Sequence, residues 1–230
     1  FLTVFNLQNI MVQATVLGML GLAVALPLLV AEIDLSIPAN LGFSSAIGAL
    51  AYSDLGLPWF VAMLIGVGVA TAIGFFNGLC ITRLRMVSLI ETLAMMIILQ
   101  GALLALTQGK TLTNLSDGYI WIGQATIGGW PVMPLVFVVA LIAMGIMLTR
   151  TVLGRSIYAV GGNAVASSAA GIRVARTKVI AYTLSGFLAG VAGFLLASWQ
   201  MAITSNQGSS YLLYAIAAPI IGGVSVFGGR

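Results

Sequence analysis

Acids are scarce in this chain, and three of its five stand where an acid is expensive. Glu32 and Asp34, in the run "AEIDLSIP" of residues 31–38, separate two apolar stretches, and Glu91 interrupts a third. An aspartate at the centre of a membrane-spanning helix costs about 3 kcal/mol on insertion scales, and carboxylates kept there mark ion or substrate pathways and proton relays. In a turn at the membrane face the same acids are ordinary solvated residues. Asp34 is a candidate for a pathway or gating role, and Glu32 a weaker one. Glu91 reads as an acid that snorkels toward, or pairs with, Arg83 or Arg85. Asn77 and Gln100 read as interhelical hydrogen-bonding groups.

Other chemistry is poorly provided for. Histidine is absent and the single cysteine, Cys80, lies in an apolar run, so neither a thiol-rich metal site nor a disulfide framework is available. No catalytic constellation can be assembled, and no metal site. A phosphate loop of the Gly-x-x-x-x-Gly-Lys-Ser/Thr kind is missing, so any ATP hydrolysis belongs to another polypeptide.

The elements that must position these residues are set by composition. With 60% hydrophobic and 6% charged residues, the chain is an integral membrane protein. About 20 apolar residues cross a bilayer as a helix, which predicts spans over Ile10–Val30, Pro58–Thr82, Met86–Thr107, Pro131–Thr149 and Val179–Trp199. Shorter pieces, Ala39–Ser53 and Tyr211–Ile221, adjoin "AEIDLSIP" and "GGVSVFGG". Short segments beside such breaks point to transporters, where unwound backbone is tolerated if buried or lining a cavity. The expected fold is all-α: a polytopic transmembrane bundle with broken or short helices, forming a single domain over residues 1–230 that is incomplete at both ends. Arg83 and Arg85 mark one cytoplasmic turn and Arg150 to Lys178 a second, which puts the connection from Gln108 to Trp130 outside. The net charge of +4 is accounted for by these loops and does not argue for nucleic acid. Whether "AEIDLSIP" is a cytoplasmic turn or a mid-membrane break stays open, and with it the parity of the first spans.

Residues 150–178 hold five of the nine basic residues and no acid. Within them "NAVASSAAGI" reads as a short helix, opened by Asn163 as N-cap and stopped by Gly171. A small-residue helix between basic ends suits docking into a groove on another protein, while charge alone would need only a loop that stays inside.

Three ordered stretches resemble the ribose/xylose/arabinose-type permeases of bacterial ABC importers, within the wider branched-chain-amino-acid/sugar permease superfamily. They are "IDLS" at residues 33–36, "GRSIYAVGGNAVASSAAGIRV" continuing into Tyr182, Ser185, Gly186, Ala189, Ala192 and Gly193, and "AIAAPIIGGVSVFGGR" at residues 215–230. The resemblance implies a permease subunit of the bacterial inner membrane. It would translocate a monosaccharide or similar small polar solute by alternating access.

Its implied partners are ATP-binding subunits, a periplasmic solute-binding protein, a second permease subunit, identical or not, and the surrounding lipid. The chain itself would bind no cofactor, ATP and Mg residing on the ATP-binding subunit. Coupling to that ATPase would fall to Gly154, Arg155, Ala159, Gly161, Gly162, Asn163, Ala170, Gly171 and Ile172. Path or gate residues would be Asp34, Ser36, Gly222, Gly223 and Ser225.

Departures bear on the solute. Ala31-Glu32 stand for paired glycines before "IDLS", "IPAN" follows it, and Glu91 replaces an apolar or small residue. A nucleoside, a sugar-like signal molecule or an amino acid is an alternative cargo, and an ion-coupled secondary transporter using Glu32, Asp34 and Glu91 is an alternative class. The stripe "GFLAGVAG" at residues 186–193 suits tight helix packing, with a permease dimer seam as one place for it.

Overall fold

The computed structural model describes residues 3–113 and 115–229, so Arg230, the end of the third stretch, lies outside them. The helices are α1 (Val4–Leu29), α2 (Ile37–Ser53), α3 (Trp59–Arg83), α4 (Ser88–Thr107), α5 (Asp117–Gln124), α6 (Met133–Arg150), α7 (Val152–Gly162), α8 (Ala164–Ala169), α9 (Val174–Gln200) and α10 (Leu212–Ile221). A two-stranded antiparallel hairpin, β1 (Thr126–Ile127) with β2 (Trp130–Pro131), pairs Ile127 with Trp130.

Five helices, α1, α3, α4, α6 and α9, are long and apolar enough to cross a membrane. Their burial separates two roles, because 67% of the most apolar window is buried in α1 and α9 but 22% in α4 and 6% in α6. The first pair forms the core. The outward rows of α4 and α6, with Ile97, Ile98, Val139, Ile142 and Ile146 exposed, face lipid.

With 17 residues, α2 is too short to span the bilayer fully. It is nonetheless buried along most of its length, seated among α3, α4 and α9. Pro38 in its first turn suits a helix start, where a missing N–H costs nothing.

Small residues set the central crossing. A Cβ on Gly186 of α9 would lie 3.1 Å from the Gly74 Cα of α3, and one on Gly190 would lie 2.9 Å from the Val67 Cα. Gly193 is in the same position against the Leu41 carbonyl oxygen of α2, at 2.5 Å. The glycines of the "GFLAGVAG" stripe therefore pack inside the chain, against α3 and α2. Close backbone approach is what drives helix association where no hydrophobic force exists between helices and lipid.

The direction of the first spans is also resolved. The Gln8 side chain donates to the Gly129 carbonyl of the outer hairpin, so α1 starts outside and runs inward. The break at residues 30–36 then lies toward the cytoplasmic end, and α2 returns outward. After α9 the chain bridges Ile203 to Leu112 of the outer connection, and then dips back so that Gly208 meets Pro38 before α10 runs along α1.

Gly186→Leu should force α3 and α9 apart. The expected result is loss of the monodisperse peak in detergent size-exclusion chromatography, whereas Gly101→Leu, in open space on α4, leaves it intact.

Candidate functional site

Residues 30–36 are not helical, and an unwound backbone among apolar helices needs a partner for every N–H and C=O. The Val30, Ala31 and Glu32 N–H groups bond back to carbonyls at the end of α1, and side chains of α4 and α9 meet others. Thr92 Oγ1 on α4 accepts the Leu35 N–H at 3.1 Å, and Ser88 Oγ lies 3.5 Å from the Ile33 N–H. The Ile33 carbonyl accepts from Tyr182 Oη of α9 at 3.3 Å and faces Thr92 Oγ1 at 3.4 Å. Asp34 closes the segment on itself, its Oδ1 accepting the Ser36 N–H at 2.8 Å and the Ser36 hydroxyl at 2.6 Å.

Asp34 is 3% exposed and Ser36 1%. Asn77 on α3 reaches Ser36 Oγ at 2.9 Å. Asn77 lies six residues from the end of α3 and Tyr182 eight residues into α9. At 1.5 Å per residue, this polar nest is roughly 9–12 Å inside the cytoplasmic helix ends.

Glu91 belongs to the nest, and the expectation that it pairs with Arg83 or Arg85 is not met. It sits in the first turn of α4, on the face that carries Ser88 and Thr92, is 4% exposed and points to Asn77. Helix phase explains this, since i, i+3 and i+4 share one face. Glu32 points the other way and forms an ion pair with Lys178, the one ion pair among the described residues. A cavity of about 430 Å³ opens beside that pair, lined also by Thr82, Arg85, Met86 and Ala175.

The basic stretch is almost wholly helical, more than its sequence suggested. Asn163 Oδ1 caps α8 by accepting the Ala166 N–H at 2.9 Å, and Gly171 ends it at φ +85°. Arg155, Ala159, Gly162, Asn163, Ala170 and Gly171 are exposed and Ile172 half-buried, whereas Gly154 and Gly161 are buried. Val165, which the sequence reading did not single out, is 81% exposed at the tip of the segment. Asn163 as N-cap fixes Val165 in the first turn of α8, but its exposure depends on the face that α8 turns to α7 and α9.

The three sequence stretches meet at the inner end of α1. The Gly229 N–H donates to the Leu29 carbonyl at 3.2 Å. A Cβ on Gly161 would lie 2.6 Å from the Gly229 nitrogen, and one on Gly228 would lie 2.7 Å from the Ala31 Cβ. The segment from α7 to α8, the turn after α10 and the end of α1 are thus in backbone contact. Gly222 and Gly223 are exposed, with Ser225 half-buried nearby, and are not brought to Asp34.

A multi-pass helical bundle with a buried, unwound segment and a protruding cytoplasmic helix pair is a membrane permease. A family model described as the permease component of the branched-chain amino acid transport system matches residues 6–229, and the chain belongs to that family. It is 36% identical to the ribose import permease protein of Bacillus subtilis, over all of this chain and 72% of that protein. It is 36% identical to the D-allose transport system permease protein of Escherichia coli, over all of this chain and 71% of that protein. To the autoinducer 2 import system permease protein of an Enterobacter species it is 35% identical, over all of this chain and 66% of that protein. No solved structure matches it.

Thr92→Val should leave the half-buried Leu35 N–H without a partner and destabilise the fold by about 1–3 kcal/mol. Thermal unfolding of the detergent-purified protein checks this, with Thr92→Ser expected to restore most of the loss.

Proposed function

We propose that this chain is the translocating subunit of an ATP-driven importer of the inner membrane that carries a monosaccharide or a closely similar polar solute. The kinship with ribose and allose permeases supports the solute class. The observation that carries the mechanism is the contact of the α7–α8 segment, through Gly161 and Gly229, with the inner end of α1.

In this reading α8, with Val165 foremost and the Arg155, Arg173 and Arg176 side chains around it, inserts into a cleft on a separate ATP-binding subunit. That subunit holds the nucleotide and its Mg. Closure of the ATPase pushes α7, whose backbone bears on Leu29, and the push is delivered to the break at residues 30–36. Asp34 and Ser36 then gate the path, and the cavity beside Glu32 and Lys178 is its cytoplasmic mouth. A second permease and a solute-binding protein outside complete the assembly, with the turn around Gly222, Gly223 and Ser225 moving with α10.

The test is reconstitution of the full-length permease with its ATP-binding subunit and binding protein in proteoliposomes. ATP-dependent ribose or allose uptake is expected; uptake driven by an ion gradient without ATP would overturn the reading. Two variants separate docking from transmission. Val165→Glu should abolish co-purification of the ATP-binding subunit. Gly161→Val should leave co-purification intact, lower uptake at least tenfold and leave ATP hydrolysis running without transport.

A further inference from the structure

Asp34, Ser36, Asn77 and Glu91 meet at the break with a hydrogen count that does not close unless a proton is added. Asp34 Oδ1 lies 2.6 Å from Ser36 Oγ, which lies 2.9 Å from one end of the Asn77 amide. The other end of that amide faces the Ile73 carbonyl oxygen and Glu91 Oε1. Glu91 Oε2 is buried and has no partner among the described residues.

Two orientations of the amide are possible. With its NH2 toward Glu91, Asn77 donates to Ile73 O and Glu91 Oε1 at 3.2 Å each, and its oxygen accepts from Ser36 Oγ. A serine hydroxyl has one hydrogen. The 2.6 Å contact between Ser36 Oγ and Asp34 is then a hydrogen bond only if Asp34 carries a proton and donates it. With its NH2 toward Ser36, the serine is free to donate to an ionised Asp34. The Asn77 oxygen now faces Glu91 Oε1 and the Ile73 carbonyl oxygen, however; a proton on Glu91 Oε1 cures the first contact, and the second stays a meeting of two acceptors, which makes this the less favourable orientation.

The first orientation closes with one carboxylic proton, on Asp34, and the second comes nearest to closing with one, on Glu91. With none, two like charges face each other in the bundle interior, where an uncompensated carboxylate is costly. With two, one hydroxyl hydrogen has no acceptor. No cation among the described residues offsets the pair. Lys178 is taken by Glu32 on the break, Tyr182 of α9 is committed to the Ile33 carbonyl, and Cys80 is the other titratable group α3 buries nearby.

We propose that Asp34, Ser36, Asn77 and Glu91 form a binding site for a single proton, held on one carboxyl or the other according to which way the Asn77 amide is turned. In the second state the proton lies on Glu91 Oε1, toward the Asn77 oxygen, and Oε2 has no partner among the described residues in either.

Infrared spectroscopy of the full-length permease in lipid nanodiscs at neutral pH tests this without reference to transport, so its outcome is separate from that of the importer reading. A carboxylic C=O band worth one group should be present and should disappear in Asp34→Asn and in Glu91→Gln alike. Each amide supplies the missing hydrogen and lets the remaining carboxyl ionise. Carboxyl ¹³C-labelling of the wild type, Asp or Glu in turn, should shift part of the band each time, which keeps the test if a variant fails to fold. A band worth two groups, or one that survives whole in either variant, overturns the proposal. So does absence of the band together with a carboxylate signal that responds to exchanging sodium for potassium, which would make the occupant a metal cation.

Discussion

Everything in this molecule is arranged around seven residues of unwound backbone placed two turns deep in a helical bundle. Residues 30–36 are buried or half-buried apart from Ala31, and a peptide group left bare in an apolar interior costs several kcal/mol. The polar side chains of α4 and α9 are answers to that constraint. Ser88 and Thr92 satisfy N–H groups, Tyr182 satisfies a carbonyl, and Asp34 folds its own carboxylate back onto Ser36. Removing the break would make these groups the liabilities, since buried polar atoms without partners are as expensive as bare peptides. Break and partners are therefore one unit, and it ties together four of the buried helices.

A second constraint is distance. For the α7–α8 segment to act on the break, it must touch a rigid element that leads there, and it does so by backbone against backbone. Gly161 lies against the Leu29 carbonyl and the Gly229 nitrogen, positions at which any side chain would collide. The apolar Val165 lies at the opposite end of the segment, bare to a partner. One end is shaped for contact within the chain and the other stands bare, which is what the proposed transmission of motion requires.

Much of this was legible in the sequence, because the signals are local. The five spans follow from runs of about 20 apolar residues, the cytoplasmic turns from arginine, and the α8 cap from Asn163 and Gly171. Other features depended on which way a helix face turns. Glu91 was read toward Arg83 and Arg85 by proximity in sequence, yet α4 starts at Ser88 and its phase carries Glu91 inward. The small-residue stripe of α9 was readable as a packing surface but not as facing α3 and α2, since any close helix would satisfy it equally.

Sequence alone determined that this is a membrane-embedded helical protein with two interrupted spans and a short capped helix in a basic cytoplasmic stretch, since hydropathy, charge placement and capping act over a few residues; its resemblance to the permeases rested on three ordered motifs. Only the tertiary structure decided that the three separated stretches converge on the end of α1, and that Asp34 and Glu91, 57 residues apart in the chain numbering, share one set of hydrogen bonds. Those facts rest on the crossing of helices and the depth of a break, which are properties of the packed bundle and not of any segment taken singly.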